Sequence, residues 1–281
     1  MSFSISGKTA IVTGAANGVG LAIARHFSEQ GANVVCADID EAKLVDEFGP
    51  NPESDDDDEA ADQAEARNTR IFAGDLRKKL TIKNLISTTV DAFDRVDILV
   101  NASRQVCASD PLDMTDDTVE VLLDQNLMTA LRLSQAVARR MIRQGEDLPE
   151  DSDDPLGAII NLSSIAATRT QPGLMAFSIA AAALEQLTRA MAVAVAAHRI
   201  RVNAISFGSV MSASLRDALR ENDDMRGMII EGTPLGRIAS AGEVAETARF
   251  LASEGAGFMT GQIVTIDGGR TLVDAVGAPT H

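Results

Sequence analysis

The amino-acid sequence predicts an α/β fold: a single domain built on a doubly wound, seven-stranded parallel sheet. Three observations carry that expectation. Short runs rich in β-branched residues alternate with helical stretches along all 281 residues, the pattern of parallel strands with helices on both faces. A glycine-rich turn joins the first strand to the first helix. No internal repeat and no domain-sized linker interrupts the alternation, and the length suits one large domain.

Taken in order, the strands are Thr9–Thr13, Asn33–Asp38, Arg70–Gly74, Ile98–Val100, Ala158–Leu162, Arg201–Ile205 and Ile263–Asp267. Their interiors are nearly continuous apolar runs, which is what parallel strands covered on both faces require. Among the intervening helical stretches, Met175–Ala197 is apolar or alanine on almost every side. A helix of that kind must be buried, and Glu185 and Arg189 within it argue against a membrane span.

Composition excludes several classes of protein. Hydrophobic residues make up 45% of the chain, ample for a core. Cys36 and Cys107 are too few for a disulfide framework, which fits a reducing cytoplasm. The opening Met1-Ser2-Phe3-Ser4-Ile5-Ser6-Gly7-Lys8 has no basic and apolar regions of a signal peptide. The net charge of −16 is local: Asn51–Arg67 contributes −7 and Gly145–Leu156 contributes −6, leaving about −3 for the remainder. Acid spread over the whole surface, as in a halophile, is not the pattern. Both acidic insertions, near 49–68 and 145–156, follow a helix and precede a strand. They are therefore expected at the amino ends of the strands, away from the ligand-binding carboxyl ends, either as solvated loops or as a docking place for a basic partner or a metal. The acidic balance argues against nucleic acid as a partner. No metal ligands are assigned.

The turn after the first strand reads Thr13-Gly14-Ala15-Ala16-Asn17-Gly18-Val19-Gly20. Glycines there permit a tight turn and let a pyrophosphate approach the amino terminus of a helix. Asp38 ends the second strand eighteen residues after Gly20. A carboxylate in that place can accept the ribose hydroxyls of adenosine and repels a 2′-phosphate, which favours NAD(H) over NADP(H). The domain is thus expected to be of the Rossmann type.

With these residues, the chain resembles the short-chain dehydrogenase/reductase family over nearly its whole length. The glycine motif at Thr13–Gly20, Asp75-Leu76 after the third strand, Asn126 within Leu123-Asp124-Gln125-Asn126-Leu127 and the pair Ser163-Ser164 ending the fifth strand are similar to the family's motifs. So are Arg201-Val202-Asn203-Ala204-Ile205, Asp267-Gly268-Gly269, and Pro234-Leu235-Gly236-Arg237 with Glu243-Val244-Ala245. The resemblance implies cofactor contacts at Gly14, Asn17, Gly18, Val19, Gly20, Asp38, Ile39, Asp75, Leu76, Asn101, Ala102, Gly208 and Val210. It implies that Asn126 and Ser164 belong to the catalytic set, and that Ser209–Gly232 is a substrate lid in which Met211, Met225, Met228, Ile229 and Ile230 supply an apolar lining or core. It also implies a homo-oligomer, dimer or tetramer, joined through the family's fourth and fifth helices.

The chain departs from the family in what it lacks. It contains no tyrosine, and no lysine after Lys83. The family's YxxxK motif places a tyrosine thirteen residues after its serine and a lysine four further on; here those positions hold Phe177 and Ala181. A phenol near a cation can protonate an alkoxide, whereas a phenyl ring and a methyl group cannot. Along the helix, Ala180 and Ala181 are the neighbours of Phe177 at helical spacing, and both are inert. The family's NNAG becomes Asn101-Ala102-Ser103-Arg104, so that Arg104 either reaches the pyrophosphate or crowds the site, and its PG becomes Phe207-Gly208. Three functions stay open at this stage. They are a dinucleotide-binding protein without catalysis, an oxidoreductase with another proton source, and an interaction module that binds no nucleotide.

Overall fold

The computed structural model describes residues 2–49, 68–149 and 152–274. The acidic run 51–67 lies outside the described residues, as do residues 150 and 151 of the second acidic segment and His281.

The chain forms β1 (Thr9–Thr13), α1 (Gly18–Glu29), β2 (Asn33–Asp38), α2 (Glu41–Phe48), β3 (Thr69–Ala73), α3 (Lys79–Phe93) and β4 (Ile98–Asn101). A long helix α4 follows as three continuous pieces, Thr118–Leu122, a π-helical turn Leu123–Met128, and Thr129–Gly145. Then come β5 (Gly157–Ser164), α5 (Met175–Val195), β6 (Ile200–Phe207), β7 (Val210–Met211), α6 (Ala213–Glu221), α7 (Asp223–Glu231), β8 (Ala239–Ser240), α8 (Ala241–Ala252) and β9 (Ile263–Ile266). The seven expected strands are all present, each within one or two residues of its expected ends. The two-residue strands β7 and β8 pair with each other in a small separate sheet that no sequence pattern indicated.

The main sheet has the order β3-β2-β1-β4-β5-β6-β9, and every pair is parallel. The two-residue period of a strand divides the apolar residues between two cores. Ala10, Val12, Val34 and Val100 face α1 and α8, where Ile23, Phe27, Val244 and Leu251 meet them. Ile11, Val35, Leu99 and Ile159 face the other way, against Leu85 of α3, Leu133 and Met141 of α4, and Val195 of α5. Each such side chain, fully removed from water, contributes roughly 1.5–3 kcal/mol. Covering both faces is what allows the strands to be apolar throughout.

The order of the sheet reverses at β1, which lies between β2 and β4. In open parallel sheets this opens a crevice at the carboxyl ends of the two strands. Here the loops after β1 and β4 flank it. Thr13 ties these loops together: its Oγ1 accepts from the amides of Ala102 and Ser103, at 3.0 Å each, and donates to the Val100 carbonyl.

Helix α5 departs from the expectation of all-round burial. One side, with Ala176, Phe177, Ala180, Ala181, Leu184 and Thr188, is buried against the body of the chain. The other side is open, with Val193 82% and Ile179 41% exposed. The segment Pro172–His198 is long and apolar enough to cross a membrane by length and composition. Its buried side, packed on β5 and β6, accounts for that composition instead.

Candidate functional site

The glycine turn has the shape that the sequence suggested, for reasons visible atom by atom. Gly14 and Gly18 have φ of 66° and 58°, in the left-handed region that disfavours side chains. A Cβ on Gly14 would come within 2.9 Å of the Ala102 backbone, and one on Gly20 would lie 2.1 Å from the Gly14 carbonyl oxygen. Beyond the turn, α1 begins with no acidic residue in its first turn, and the Asn17 side chain makes no capping hydrogen bond. Its first amides and the positive end of its dipole are therefore free to meet an anion. Val19 packs its side chain back onto the core.

Beside this turn lies a pocket lined by Gly14, Asp38, Ile39, Asp75, Leu76, Ser103 and Gln125, among others. Asp38 is fixed by three backbone amides: Oδ2 accepts from Ala16 at 3.1 Å, and Oδ1 accepts from Ile39 at 2.7 Å and Asp40 at 3.1 Å. A carboxylate offers about four acceptor sites, so capacity remains for a hydroxyl. The bond to Ala16 also ties the carboxylate to the glycine turn. Asp75 is held by Arg77 through two bonds of 2.9 Å, and this guanidinium keeps its carboxyl below the usual carboxylate range. These residues fit the adenosine and diphosphate portions of a dinucleotide. Gly14, Gly18 and Gly20 would admit the diphosphate, Asp38 would hold a ribose, and Ile39 and Leu76 would flank a base.

Further in, a second and smaller cavity of about 20 Å³ is lined by Asn101, Ser103, Arg104, Asn126, Phe177 and Ala181, with Ser163 and Leu184. That is room for about one water molecule. Ser103 borders both spaces, so they lie side by side. Asn126 sits in the π-helical turn of α4, a local irregularity that often marks functional positions. Its Oδ1 accepts from the Gln105 amide and its Nδ2 donates to the Gln105 carbonyl, both at 2.8 Å. Asn126 thereby fixes the loop after β4. Asn101 donates to Asn161 at 2.8 Å and to Ser134 at 3.0 Å, holding β4 to β5 and α4. Ser164 turns its Oγ onto the Ala166 amide at 3.2 Å, as the cap of a short turn.

Arg104 is the residue whose placement the sequence left open. Its guanidinium lies 4.2 Å from the centroid of the Phe207 ring and 5.8 Å from that of Phe177. It donates to the Ser163 carbonyl at 3.3 Å. Burial pushes its pKa down to about 10, still well above neutrality. Arg104 thus points to the inner cavity and not to the glycine turn. It brings a cation to the side of Phe177 and Ala181, a role that helical spacing along α5 could not reveal because Arg104 comes from another element. Behind that face, Ser163 Oγ donates to the buried carboxylate of Glu185 at 3.1 Å.

Among the other expected positions, Gly208 packs near Ile165 and Asp267, and Val210 is buried in β7. In the segment expected as a lid, Ile229 is buried, Met211, Met225 and Ile230 are partly so, and Met228 is 60% exposed. The pair Arg237–Glu243, with bonds of 2.6 and 2.8 Å, closes that segment and pulls the Glu243 carboxyl down to about 2. A larger cavity of about 700 Å³ lies at the opposite, amino ends of the strands, lined by Lys8, Asp97, Asp153 and Arg199 among others; it shares no residue with the cleft.

The sheet, the glycine turn and the aspartate after β2 together define a fold of the Rossmann type. The family model described as enoyl-(acyl carrier protein) reductase matches residues 14–271. Oxidoreductase UcpA of Salmonella typhimurium is 32% identical over 280 residues, covering 97% of each chain. The 3-oxoacyl-[acyl-carrier-protein] reductase FabG of Chlamydia trachomatis is 31% identical over 276 residues, covering 96% of this chain and 99% of that one. The structure of a gluconate 5-dehydrogenase from Burkholderia cenocepacia, in complex with NADP and tartrate, superposes with a TM-score of 0.80 at 26% identity, covering 97% and 98% of the two chains. The chain belongs to the short-chain dehydrogenase/reductase family, whose cofactors are NAD(H) and NADP(H).

Proposed function

We propose that this chain is an NAD(H)-binding member of the family that has lost the family's proton relay and turns over carbonyl or alcohol substrates poorly or not at all. The observation that carries the reading is the content of the inner cavity. Where the family has its tyrosine and lysine, this chain has Phe177 and Ala181, and the neighbouring cation, Arg104, is stacked on phenyl rings. When bound, NADH supplies a hydride, and the alkoxide that hydride addition leaves must take up a proton. Phe177 and Ala181 carry none, and Arg104 is a guanidinium, which stays charged and does not serve as a proton donor. Ser164 is an unactivated hydroxyl. Loss of a positioned general acid costs roughly 10²–10⁴-fold in rate.

Binding, by contrast, is expected to survive, because the glycine turn and Asp38 keep the features that hold the adenosine half. The fixed carboxylate of Asp38 favours NAD(H), since a 2′-phosphate beside it would set two anions together. Calorimetric titration is expected to give NADH at least about tenfold tighter binding than NADPH, a difference of about 1.4 kcal/mol. Equal affinities, or no heat with either, would count against this reading. The open face of α5, with Ile179 and Val193, supports assembly into a dimer or tetramer through α4 and α5.

One observation favours a second reading, an active oxidoreductase with another proton source. Arg104 borders the same cavity as Asn126, Phe177 and Ala181, so its charge could stabilise an alkoxide while water supplies the proton. In that case Arg104→Gln and Ser164→Ala would each abolish a measurable wild-type rate.

A further inference from the structure

The two spaces of the site differ in what they offer the two halves of a dinucleotide. Beside the glycine turn, polar capacity is left over. The start of α1 has no side-chain cap and no acidic residue in its first turn. Asp38 accepts three bonds, where a carboxylate offers about four sites. Exposed Ile39 borders the same pocket. A diphosphate and a ribose would find partners here without breaking an internal bond.

The inner space is filled and internally paired. Its 20 Å³ is room for about one water molecule, far less than a nicotinamide ring needs. Arg104 reaches into it from the loop after β4 and crosses the carboxyl ends of β5 and β6. The buried guanidinium lies 4.2 Å from the Phe207 ring centroid and 5.8 Å from that of Phe177, and it donates to the Ser163 carbonyl. The polar side chains around this space are committed elsewhere. Asn126 uses both of its amide atoms on Gln105. The Asn101 amide nitrogen donates to Asn161 and Ser134, and the Ser163 hydroxyl donates to Glu185. Phe177 and Ala181 carry no polar side-chain atom. A carboxamide and ribose hydroxyls buried here would break these bonds or go unpaired, and a buried polar group without a partner is costly. The chain therefore fits the adenosine half of the cofactor and does not fit the nicotinamide half.

Given the nucleotide site proposed above, we propose that it selects adenosine diphosphates as a class: the adenosine and diphosphate are seated, while Arg104 plugs the place of the nicotinamide half, which stays in solvent. ADP-ribose is then as good a ligand as NAD(H). The plug is one residue, since the family's glycine at this position has no side chain to fill the space.

The full chain is to be titrated calorimetrically with NADH and with ADP-ribose, which carries the same charge. NADH is expected to bind at most about fivefold more tightly than ADP-ribose. The emission of bound NADH is expected to keep its solution maximum; the chain has no tryptophan or tyrosine to interfere with it. Arg104→Gly opens the space and frees the Ser163 carbonyl. It is expected to keep the ADP-ribose affinity, to bind NADH at least about tenfold more tightly than ADP-ribose, and to shift the emission of bound NADH to the blue. Arg104→Ala serves in its place if that variant fails to fold. In the wild-type chain, NADH tighter than ADP-ribose by more than about fivefold, or a blue-shifted emission, overturns the plug and leaves the nucleotide site standing. Equal affinities for the two ligands in both Arg104 variants overturn the role given to Arg104. Binding of neither ligand by the wild-type chain defeats the nucleotide site and the plug with it.

Discussion

The triple variant Arg104→Gly, Phe177→Tyr, Ala181→Lys is expected to reduce carbonyl substrates with NADH at least about 10²-fold faster than the wild-type chain, in line with the 10²–10⁴-fold contribution of a positioned general acid. Phe177 and Ala181 lie one helical turn apart on the buried side of α5 and both line the inner cavity. A hydroxyl added to the Phe177 ring would therefore enter the cleft, and an ammonium at 181 would lie beside it and lower the phenol pKa from about 10 toward neutrality. The third substitution follows from the structure. With Arg104 in place, a lysine at 181 would share a space of about 20 Å³ with a second cation, and like charges so close disfavour each other's ionised forms. The Phe177→Tyr, Ala181→Lys double variant is thus expected to fall well short of the triple variant. NADH oxidation followed at 340 nm across a panel of carbonyl compounds distinguishes them. A triple variant that folds and binds NADH yet reduces nothing would show that the lid or Ser164 has drifted too.

Gly20→Ala is expected to have the largest effect on the cofactor cradle. The new Cβ would lie 2.1 Å from the Gly14 carbonyl oxygen and 2.7 Å from its carbon, both backbone atoms, so no side chain can move aside to admit it. Overpacking of this kind costs typically 1–3 kcal/mol, which for a chain of this size corresponds to a fall in Tm of roughly 2–5 °C. The strain falls on the turn itself. It displaces the amides at the start of α1 and, through the Ala16 amide, the carboxylate of Asp38. NADH affinity is accordingly expected to drop at least about 100-fold while the far-UV circular dichroism spectrum stays native. A variant that kept wild-type affinity would mean that the nucleotide binds elsewhere.

The fold was legible because its signals are local and repeated. β1, β2 and β4 are apolar runs bounded by turns, and Gly14, Gly18 and Gly20 announce a backbone path that other residues resist. Asp38 was found from its spacing after the glycine turn, and Asn126 from its likeness to the family's motif. What escaped the sequence depends on tertiary approach. The π-helical turn around Asn126 leaves no mark in helical periodicity. β7 and β8 are too short to show alternation. The open side of α5 was invisible because the residues of an apolar, alanine-rich helix do not say which of its sides the rest of the chain covers. Arg104 was seen as an anomaly, but whether it turned to the glycine loop or to the cavity depended on Phe207, which lies 103 positions further along the chain. Side-chain stacking across that separation has no linear signature.

The most direct test of the central claim is single-turnover NADH oxidation by the wild-type chain at saturating NADH, with carbonyl substrates that include carboxylate-bearing ones. A bound cofactor beside a cavity without a proton donor predicts oxidation no faster than about 0.1 s⁻¹, at least 10²-fold below a typical enzyme rate. Oxidation at about 1 s⁻¹ or faster, within the ordinary range of enzymes, would contradict it and show that a proton reaches the site by a route other than residues 177 and 181.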